Sequence, residues 1–225
     1  MNAQRPRVAM ILAAGRGERM RPLTDRTPKP LLRVHGVPLI ERHVVNLVAA
    51  GIDRIVINLA WLGAQIRDHL GDGARHGAQI LYSDESPSAL DTGGGVFRAL
   101  PSLSPGPFAV VNGDIYTEFP FATLCLPAEA DAHLVLVPNP SYLSGDFGLA
   151  QGAALAADSP QAGKLYTFGC IAVYRPAFFA GCADGKFPMK PLWLRSMAAR
   201  RCSAELYSGT WEDVGTPERL AALNS

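Results

Sequence analysis

The sequence carries almost no net charge. Its 225 residues include 21 Lys and Arg against 20 Asp and Glu, which gives a formal net charge of +1. The basic residues do not gather into a patch with interleaved aromatics, so a nucleic-acid partner is not expected. Any chemistry on phosphate groups must therefore depend on a few locally placed cations rather than on the overall field of the protein.

Long apolar runs are also missing. No run approaches the length of about 20 residues that a membrane-spanning helix needs, so no membrane segment is predicted. Arg5 and Arg7, followed by an apolar run at 8–14, resemble the start of an export signal, but several charged residues follow at once. We interpret that run as a buried first strand instead.

Cysteine is scarce and scattered. No two of the four cysteines are spaced as C-x-x-C, which excludes the common zinc and thioredoxin-like motifs. They are interpreted as reduced thiols of a cytoplasmic protein. With 48% hydrophobic and 18% charged residues, the chain has a globular composition and can bury a core without disulfide or metal staples.

Apolar runs of strand length alternate with segments of helical spacing up to Pro138. Strands are predicted at 7–13, 54–58, 79–83, 108–112 and 133–137, and helices at 38–50, 62–70 and 96–100. This alternation predicts an α/β fold, a Rossmann-like and mainly parallel sheet with helices on both faces. Ligands of such sheets bind at the carboxyl ends of the strands, where the motifs below are found.

The pattern changes after Pro138. Residues 141–163 are rich in Gly, Ala, Ser and Pro, with only a weak hairpin signal at 147–150. A strand at 165–174, a helix at 188–200, an extended segment at 203–207 and a final helix at 217–222 are predicted beyond it. No internal repeat or second hydrophobic domain is visible, so residues 1–225 are predicted to form one domain.

The segment 12–30 is the most informative motif, with the sequence L-A-A-G-R-G-E-R-M-R-P-L-T-D-R-T-P-K-P. It places Gly15 and Gly17 directly after the first strand, where backbone N–H groups can cradle phosphate. Arg19 can pair bidentately with phosphate oxygens, and a proline on each side stiffens the backbone of Lys29. The segment therefore predicts a phosphate-binding site.

Two competing classes of protein are disfavoured. The P-loop pattern is absent, and Met20 stands where a dinucleotide fold requires its third glycine, which disfavours a nicotinamide-dependent oxidoreductase.

Two carboxylates that are far apart in the sequence lie at predicted apolar strands: Asp114 follows one, and Asp213 lies beside Trp211 in another. Asp114 ends V-V-N-G-D, and Asp213 precedes a helix start at G-T-P, where Thr216 is predicted to be the N-cap. Oxygen ligands in these positions suit Mg²⁺, which also bridges substrate phosphates. Two alternatives stay open: a turn without a ligand at Asp114, and an ion pair between Asp213 and a core arginine.

Three consecutive glycines at 93–95 open a predicted helix, shortly after Y-S-D-E at 82–85. Such a run is costly in a helix unless some group must approach the backbone closely. A planar base is one such group, and a flexible loop without a ligand is the alternative.

Together these segments resemble the sugar-phosphate nucleotidyltransferases. The family's opening signature, L-A-x-G-x-G-x-R-[LM]-x-P-L-T followed by P-K-P, is matched in register, and so are its N-G-D and D-V-G-T-P motifs. The resemblance covers nearly the whole chain. It implies the nucleotide-diphospho-sugar transferase fold, with a nucleotide-binding part over about 1–138 and a sugar-binding part over about 139–225.

The resemblance also implies roles for individual residues. Arg19, Lys29 and Asp114 would be catalytic, and Asp114 and Asp213 would hold Mg²⁺. The residues expected to contact the nucleotide are Leu12, Ala13, Ala14, Gly15, Arg16, Gly17, Glu85, Gly93, Gly94 and Asn112. Those expected to contact the sugar are Gly148, Thr167 and Gly169.

Within the family, the closest likeness is to the short N-acetylmuramate α-1-phosphate uridylyltransferases of peptidoglycan recycling. They share the acidic-T-G-G-G motif and the I-N-x-A-W-L-G segment, here 57–63. This likeness implies a monomer or small homo-oligomer that transfers UMP from UTP, or a related nucleotide, to a sugar 1-phosphate. Guanylyltransferases of heptose or mannose 1-phosphate and thymidylyl- or uridylyltransferases of glucose 1-phosphate are alternatives. A non-catalytic sugar-nucleotide-binding regulatory protein on the same fold is the alternative of another class. It would be expected to lose either the phosphate-binding lysine or a metal-binding carboxylate, whereas this chain keeps Lys29, Asp114 and Asp213.

Two departures from the pattern fall on the expected sugar side. A Glu-Lys-Pro element that many relatives carry before the strand at 165–174 is replaced by D-S-P-Q-A-G-K-L, so its sugar-contacting Glu is missing. Cys170 stands where the short relatives tend to have glycine.

Overall fold

A nine-stranded sheet runs through the middle of the protein. The computed structural model describes residues 3–103 and 105–225. Within these residues the strands are β1 (Val8–Leu12), β2 (Arg33–Val34), β3 (Val37–Pro38), β4 (Arg54–Leu59), β5 (Gln79–Asp84), β6 (Phe108–Asn112), β7 (Ile115–Thr117), β8 (Ala132–Val137), β9 (Phe147–Ala150), β10 (Ala153–Ala156), β11 (Leu165–Tyr174), β12 (Cys202–Leu206) and β13 (Trp211–Asp213). The α-helices are α1 (Leu39–Ala49), α2 (Gly63–Leu70), α3 (Asp91–Ala99), α4 (Lys190–Ala198) and α5 (Pro217–Leu223).

The sheet has two halves that differ in the direction of pairing. Its order is β5-β4-β1-β6-β11-β8-β12-β10-β9. Pairing is parallel from β5 through β6, which we call the parallel half. In the remaining strands, the mixed half, β11 is antiparallel to β6 and β8, β12 is parallel to β8, and β9 and β10 form an antiparallel hairpin. The expected α/β sheet is thus present, and its parallel pairing is concentrated toward the N-terminus.

The first strand is buried on both faces, which explains its continuous apolar sequence. Ala9 and Ile11 belong to the core cluster that also contains residues of α1 and α2. Val8 and Met10 belong to the cluster on the opposite face, which contains residues of α3 and α4. Helices therefore cover both faces, as predicted. None of the helices in the described residues has the length and apolar character required to cross a membrane.

Most predicted elements are present, with some changed bounds. The predictions for β6 and β11 match the observed strands, whereas α3 begins at Asp91 rather than at residue 96 and so includes the three glycines. The weak hairpin signal corresponds to the full β9–β10 hairpin. Two small sheets, β2–β3 and β7–β13, were not predicted. A single sheet extends across residue 138, and the division of the chain there into nucleotide and sugar parts stays a prediction.

Candidate active site

A cavity of about 410 Å³ lies at the carboxyl ends of the parallel half. Its lining comprises Leu12, Ala13, Ala14, Gly15, Gly17, Glu18, Arg19, Met20, Lys29, Pro30, Asn58, Glu85, Ala89, Asp91, Thr92, Asn112, Asp114 and Gly215. Most residues predicted for catalysis and for the nucleotide are brought together here. Other predicted residues are outside the lining, namely Arg16, Gly93, Gly94, Asp213 and the sugar-side residues Gly148, Thr167 and Gly169.

The two glycines of the loop after β1 differ in what they do. Gly17 has φ +68°, and a Cβ there would lie 3.1 Å from side-chain atoms of both Lys29 and Thr24. The Thr24 hydroxyl also donates to the carbonyl of Gly17 at 2.8 Å, so packing within the protein requires glycine at this position. A Cβ at Gly15 would meet nothing within 4 Å. The space beside Gly15 is therefore open to a ligand.

The loop presents free backbone donors and two cations to the cavity. In the described parts of the chain, the N–H groups of Gly15, Arg16 and Gly17 donate to no acceptor. Such groups can bind phosphate oxygens. The Arg16 guanidinium stacks 4.3 Å from the centre of the Trp61 ring, outside the lining. Arg19 and Lys29 are the cations among the lining residues.

Lys29 lies between the two predicted metal-binding carboxylates. Its Nζ is 2.5 Å from Oδ2 of Asp114 and 3.8 Å from Oδ1 of Asp213, and the residue is only 6% exposed. Pairing of β13 with β7 sets Asp213 opposite Ile115, directly after Asp114. Asp213 also accepts a hydrogen bond from Arg219 at 2.9 Å. The ion pair between Asp213 and an arginine, which was the alternative to a metal-binding role, is therefore present as well.

The donor set of this cluster fits Mg²⁺. Two acidic side chains already hold one cation, the Lys29 ammonium, between them. Mg²⁺ is usually bound by one or two carboxylates and completes its shell with water and substrate phosphates. Among the described residues, no group of three or more His, Cys, Asp and Glu side chains could hold a metal ion. A metal at Asp114 and Asp213 would therefore depend on oxygen atoms of the substrates.

A buried polar pair lies on the other side of β1. Asn58 accepts from the Ala13 N–H through Oδ1 and donates to Oε1 of Glu85, both at 2.7 Å. Oε2 of Glu85 accepts from the Leu90 N–H at 2.7 Å, and Glu85 and Asn58 are 1% and 3% exposed. Sequence reasoning predicted Glu85 but missed Asn58. The available signal was an amide at the end of the apolar run R-I-V-I-N.

The glycines at 93–95 are explained by close contacts within the protein. A Cβ at Gly93 would lie 2.5 Å from the Phe187 ring, and one at Gly94 would lie 2.1 Å from the carbonyl oxygen of Gly185. Gly94 also donates its N–H to the Phe187 carbonyl at 3.1 Å. The backbone of α3 is thus approached by the segment 185–187, and contact of these glycines with a base stays a prediction.

The predicted sugar-side residues lie in the mixed half and make contacts within the protein. Thr167 is 3% exposed and donates its hydroxyl to Oδ1 of Asn139 at 3.0 Å. A Cβ at Gly148 would lie 2.4 Å from the carbonyl oxygen of Ala162. The Gly169 carbonyl accepts from the Trp211 indole N–H at 2.8 Å. Trp211 belongs to β13, so this last contact joins β11 to the strand that carries Asp213.

Cys170 lies at a β-bulge of β11, between Phe168 and Ile171, with φ +59°. Glycine adopts this left-handed conformation more readily than cysteine does. Burial, and then the carboxylates of Asp114 and Asp213, raise the pKa of the Cys170 thiol well above its usual value. The thiol therefore stays neutral and adds no negative charge beside the two carboxylates.

Comparisons with known proteins agree with this geometry. A family model described as nucleotidyl transferase matches residues 8–163. The chain is 47% identical to an N-acetylmuramate alpha-1-phosphate uridylyltransferase of Neisseria meningitidis, over 94% of each chain. It is 36% identical to the protein of that name from Caulobacter vibrioides, over 98% of this chain and 97% of the other.

Solved structures show the same fold at low identity. HddC from Yersinia pseudotuberculosis, complexed with GMP-PN, has a TM-score of 0.75 at 19% identity and covers 96% of each chain. The inositol-1-phosphate CTP transferase from T. maritima has a TM-score of 0.79 at 15% identity, over 99% of this chain and 96% of the other. The expected fold and enzyme class are confirmed. With its signature segment lining a cavity at the strand ends, the chain belongs to the nucleotidyl transferase family.

Proposed function

We propose that the protein transfers UMP from UTP to N-acetylmuramate α-1-phosphate and releases pyrophosphate. The uridylyltransferases to which the chain is similar over nearly its whole length support this choice of substrates. The dependence on magnesium, a monomeric or small oligomeric state and a cytoplasmic role in peptidoglycan recycling belong to the same proposal.

The polarity of the cavity is the observation that carries the proposal. Leu12 at the end of β1 is flanked by Asn58 of β4 on one side and by Asn112 of β6 on the other. The β6 side leads to the cluster of Lys29 and Asp114, which suits phosphates and their counter-ions. The β4 side offers buried amide and carboxylate groups and no cation, which suits the nucleoside.

The reaction that fits this site is an in-line displacement at phosphorus. An oxygen of the sugar phosphate forms a bond to the α-phosphorus of UTP, and the bond from that phosphorus to the oxygen of pyrophosphate breaks. A phosphate dianion is already nucleophilic near neutral pH, so no general base is required. No His, Ser or Cys is present among the lining residues. Catalysis then consists of positioning two anions and neutralising their charge.

Each cation has a distinct position for that task. The Arg19 side chain is 69% exposed and lies 3.9 Å from Oδ2 of Asp213, so it can turn toward a triphosphate with little loss. Lys29 is buried and fixed. Asp114 and Asp213 would hold Mg²⁺, which supplies Lewis-acid polarisation of phosphate oxygens when it is bound.

The test is a matrix of nucleoside triphosphates against sugar 1-phosphates, read by pyrophosphate release with Mg²⁺ present. We expect the highest kcat/KM for UTP with N-acetylmuramate α-1-phosphate. A higher value for GTP with mannose or heptose 1-phosphate, or for dTTP or UTP with glucose 1-phosphate, would overturn the substrates and leave the reaction standing. Absence of pyrophosphate from every pair would overturn the reaction.

A further inference from the structure

Arg219 holds Asp213 by two hydrogen bonds from outside the cavity lining. Its Nη1 donates to Oδ2 of Asp213 at 2.9 Å and to the carbonyl oxygen of the same residue at 3.1 Å. The Arg219 N–H is bonded in turn to the hydroxyl of Thr216, the N-cap of α5, and the Arg219 side chain is 20% exposed. One guanidinium nitrogen therefore fixes both the backbone and the side chain of Asp213. The other carboxylate oxygen, Oδ1, faces Lys29.

The ring of Tyr142 packs against the guanidinium group of Arg219. The centre of its ring lies 3.6 Å from Cζ of Arg219, and its hydroxyl donates to Oε1 of Glu212. Burial and the bond to Glu212 raise the pKa of Tyr142, so the hydroxyl stays a donor. Tyr142 belongs to the segment between β8 and β9, which Asn139 ties to Thr167 of β11. The contact thus links the predicted sugar side of the protein to the residue predicted to bind metal.

We infer that Arg219 is a positioning residue for Asp213, and that Tyr142 holds Arg219 in place. Arg219 keeps Asp213 in the orientation that presents Oδ1 to a cation shared with Asp114. This role rests on the proposed metal-dependent function. In this role Arg219 does not contact substrate, and the role does not depend on any change in protonation.

Electrostatics and positioning predict opposite effects when Arg219 is removed. Loss of a positive charge 2.9 Å from the carboxylate would by itself strengthen the binding of a cation at Asp213. Loss of a hydrogen bond that orients a metal ligand weakens metal binding, commonly about 10- to 100-fold. The direction of the change in metal affinity therefore distinguishes the two.

The experiment is a titration of the full chain with Mn²⁺ in the presence of UTP and without any sugar phosphate, followed by electron paramagnetic resonance. The variants are Arg219→Ala, Arg219→Lys, Tyr142→Ala and Tyr142→Phe. We expect Arg219→Ala to weaken Mn²⁺ binding about tenfold and Tyr142→Ala to weaken it less. Arg219→Lys keeps a charged donor, and Tyr142→Phe keeps the ring, so each should retain most of the affinity.

Arg195→Ala is the matched control. This arginine of α4 donates to the carbonyl oxygens of Ala180 and Phe178, away from the site, so its loss should lower the Tm and leave Mn²⁺ affinity unchanged. Unchanged or tighter Mn²⁺ binding by Arg219→Ala would overturn the positioning role, and so would an equal loss in Arg195→Ala. If the unchanged protein bound no Mn²⁺, the proposed metal site and the role of Arg219 would fail together.

Discussion

Motif residues without an internal contact occur in the parallel half, beside others that have one, whereas the predicted sugar-side residues of the mixed half all make contacts within the protein. In the parallel half, Gly15 lines a cavity, and a side chain added there would meet no protein atom within 4 Å. In the mixed half, Gly148 and Thr167 are committed to neighbours within the protein, Ala162 and Asn139. A motif residue without an internal partner points to a ligand. One with a close internal partner has a structural reason to be what it is, whether or not it also touches a ligand.

Asp114→Asn is expected to have the largest effect and tests whether chemistry is confined to the end of the parallel half. Turnover should fall roughly 10²-fold or more, because a carboxylate that neutralises charge at the reacting phosphates is lost. Pyrophosphate release with Mg²⁺ and saturating substrates measures this. The Tm should fall as well, because the buried ammonium group of Lys29 loses its nearest counter-charge, so turnover is measured well below the Tm of the variant. Turnover near that of the unchanged protein would place the catalytic charge elsewhere.

Acid should destabilise the protein through His43, a residue of the helix α1, which packs on the parallel half. Burial lowers the pKa of His43 from 6.5 to about 4, against the opposing effects of its bond to the Ile115 carbonyl and of the Asp114 charge. Below about pH 6.5 His43 is protonated in the unfolded chain, whereas in the folded protein it stays neutral until about pH 4. The free energy of unfolding should therefore fall by about 3 kcal/mol over that range and be fully restored above it.

Urea denaturation at a series of pH values measures this loss. His43→Gln cannot take up the proton, so its free energy of unfolding should depend less on pH over the same range. A loss of equal size in this variant would assign the acid sensitivity to other groups.

Gly148→Ala tests the mixed half directly. A Cβ 2.4 Å from the backbone oxygen of Ala162 forces a backbone shift, so we expect a loss of about 1–3 kcal/mol in the free energy of unfolding. Denaturant melts measure the loss, and KM for the sugar phosphate, measured in parallel, tests the predicted contact of Gly148 with the sugar. An unchanged Tm with a raised KM would show instead that Gly148 contacts the sugar.

Gly15→Ala is expected to have the smallest effect. It should leave the fold unchanged and weaken the binding of UTP. Because the added methyl meets no protein atom, the Tm should stay unchanged, whereas KM for UTP should rise about tenfold as the methyl enters the space where phosphate approaches the backbone. Gly17→Ala is the matched control. Its φ of +68° and its contacts with Thr24 and Lys29 predict a lower Tm. An unchanged KM for UTP in Gly15→Ala would remove this glycine from the nucleotide site.

The sequence predicted elements best where one local signal determined them. The strand β6 and the long strand β11 have apolar patterns that end at clear turn residues, and both were found with the expected bounds. The strands β7 and β13 have three residues each and form through pairing with each other. No local pattern marks β7, whereas an apolar strand beside Trp211 was expected at β13. The pairing of the two strands could not be predicted from either segment alone. Their pairing is nevertheless what brings Asp114 and Asp213 together.

The site residues show the same limit. Lys29 and Asp114 could be proposed from motifs, because their neighbours in the sequence reveal loops at strand ends. For Asn58 the only local signal was its place at the end of a strand, since its importance comes from bridging Ala13 and Glu85, which are distant in the chain. The glycines at 93–95 could be recognised as sites of close approach. Which groups approach them depends on tertiary packing: the segment 185–187 approaches Gly93 and Gly94, and the Glu85 side chain approaches Gly95.

The position of β13 in the sequence determines when the second carboxylate of the pair is synthesised. The last strand of the nine-stranded sheet, β12, ends at Leu206, and Asp213 follows in a separate two-stranded sheet. A nascent chain that has left the ribosome only as far as Leu206 therefore contains all the strands of the main sheet. Of the two carboxylates, it contains only Asp114. Synthesis of residues 207–219 then adds Asp213 together with Arg219. Proteolytic removal of the residues that follow Leu206 would take away one carboxylate of the pair and also Val214, which is buried in the cluster that contains Met20 and Leu39.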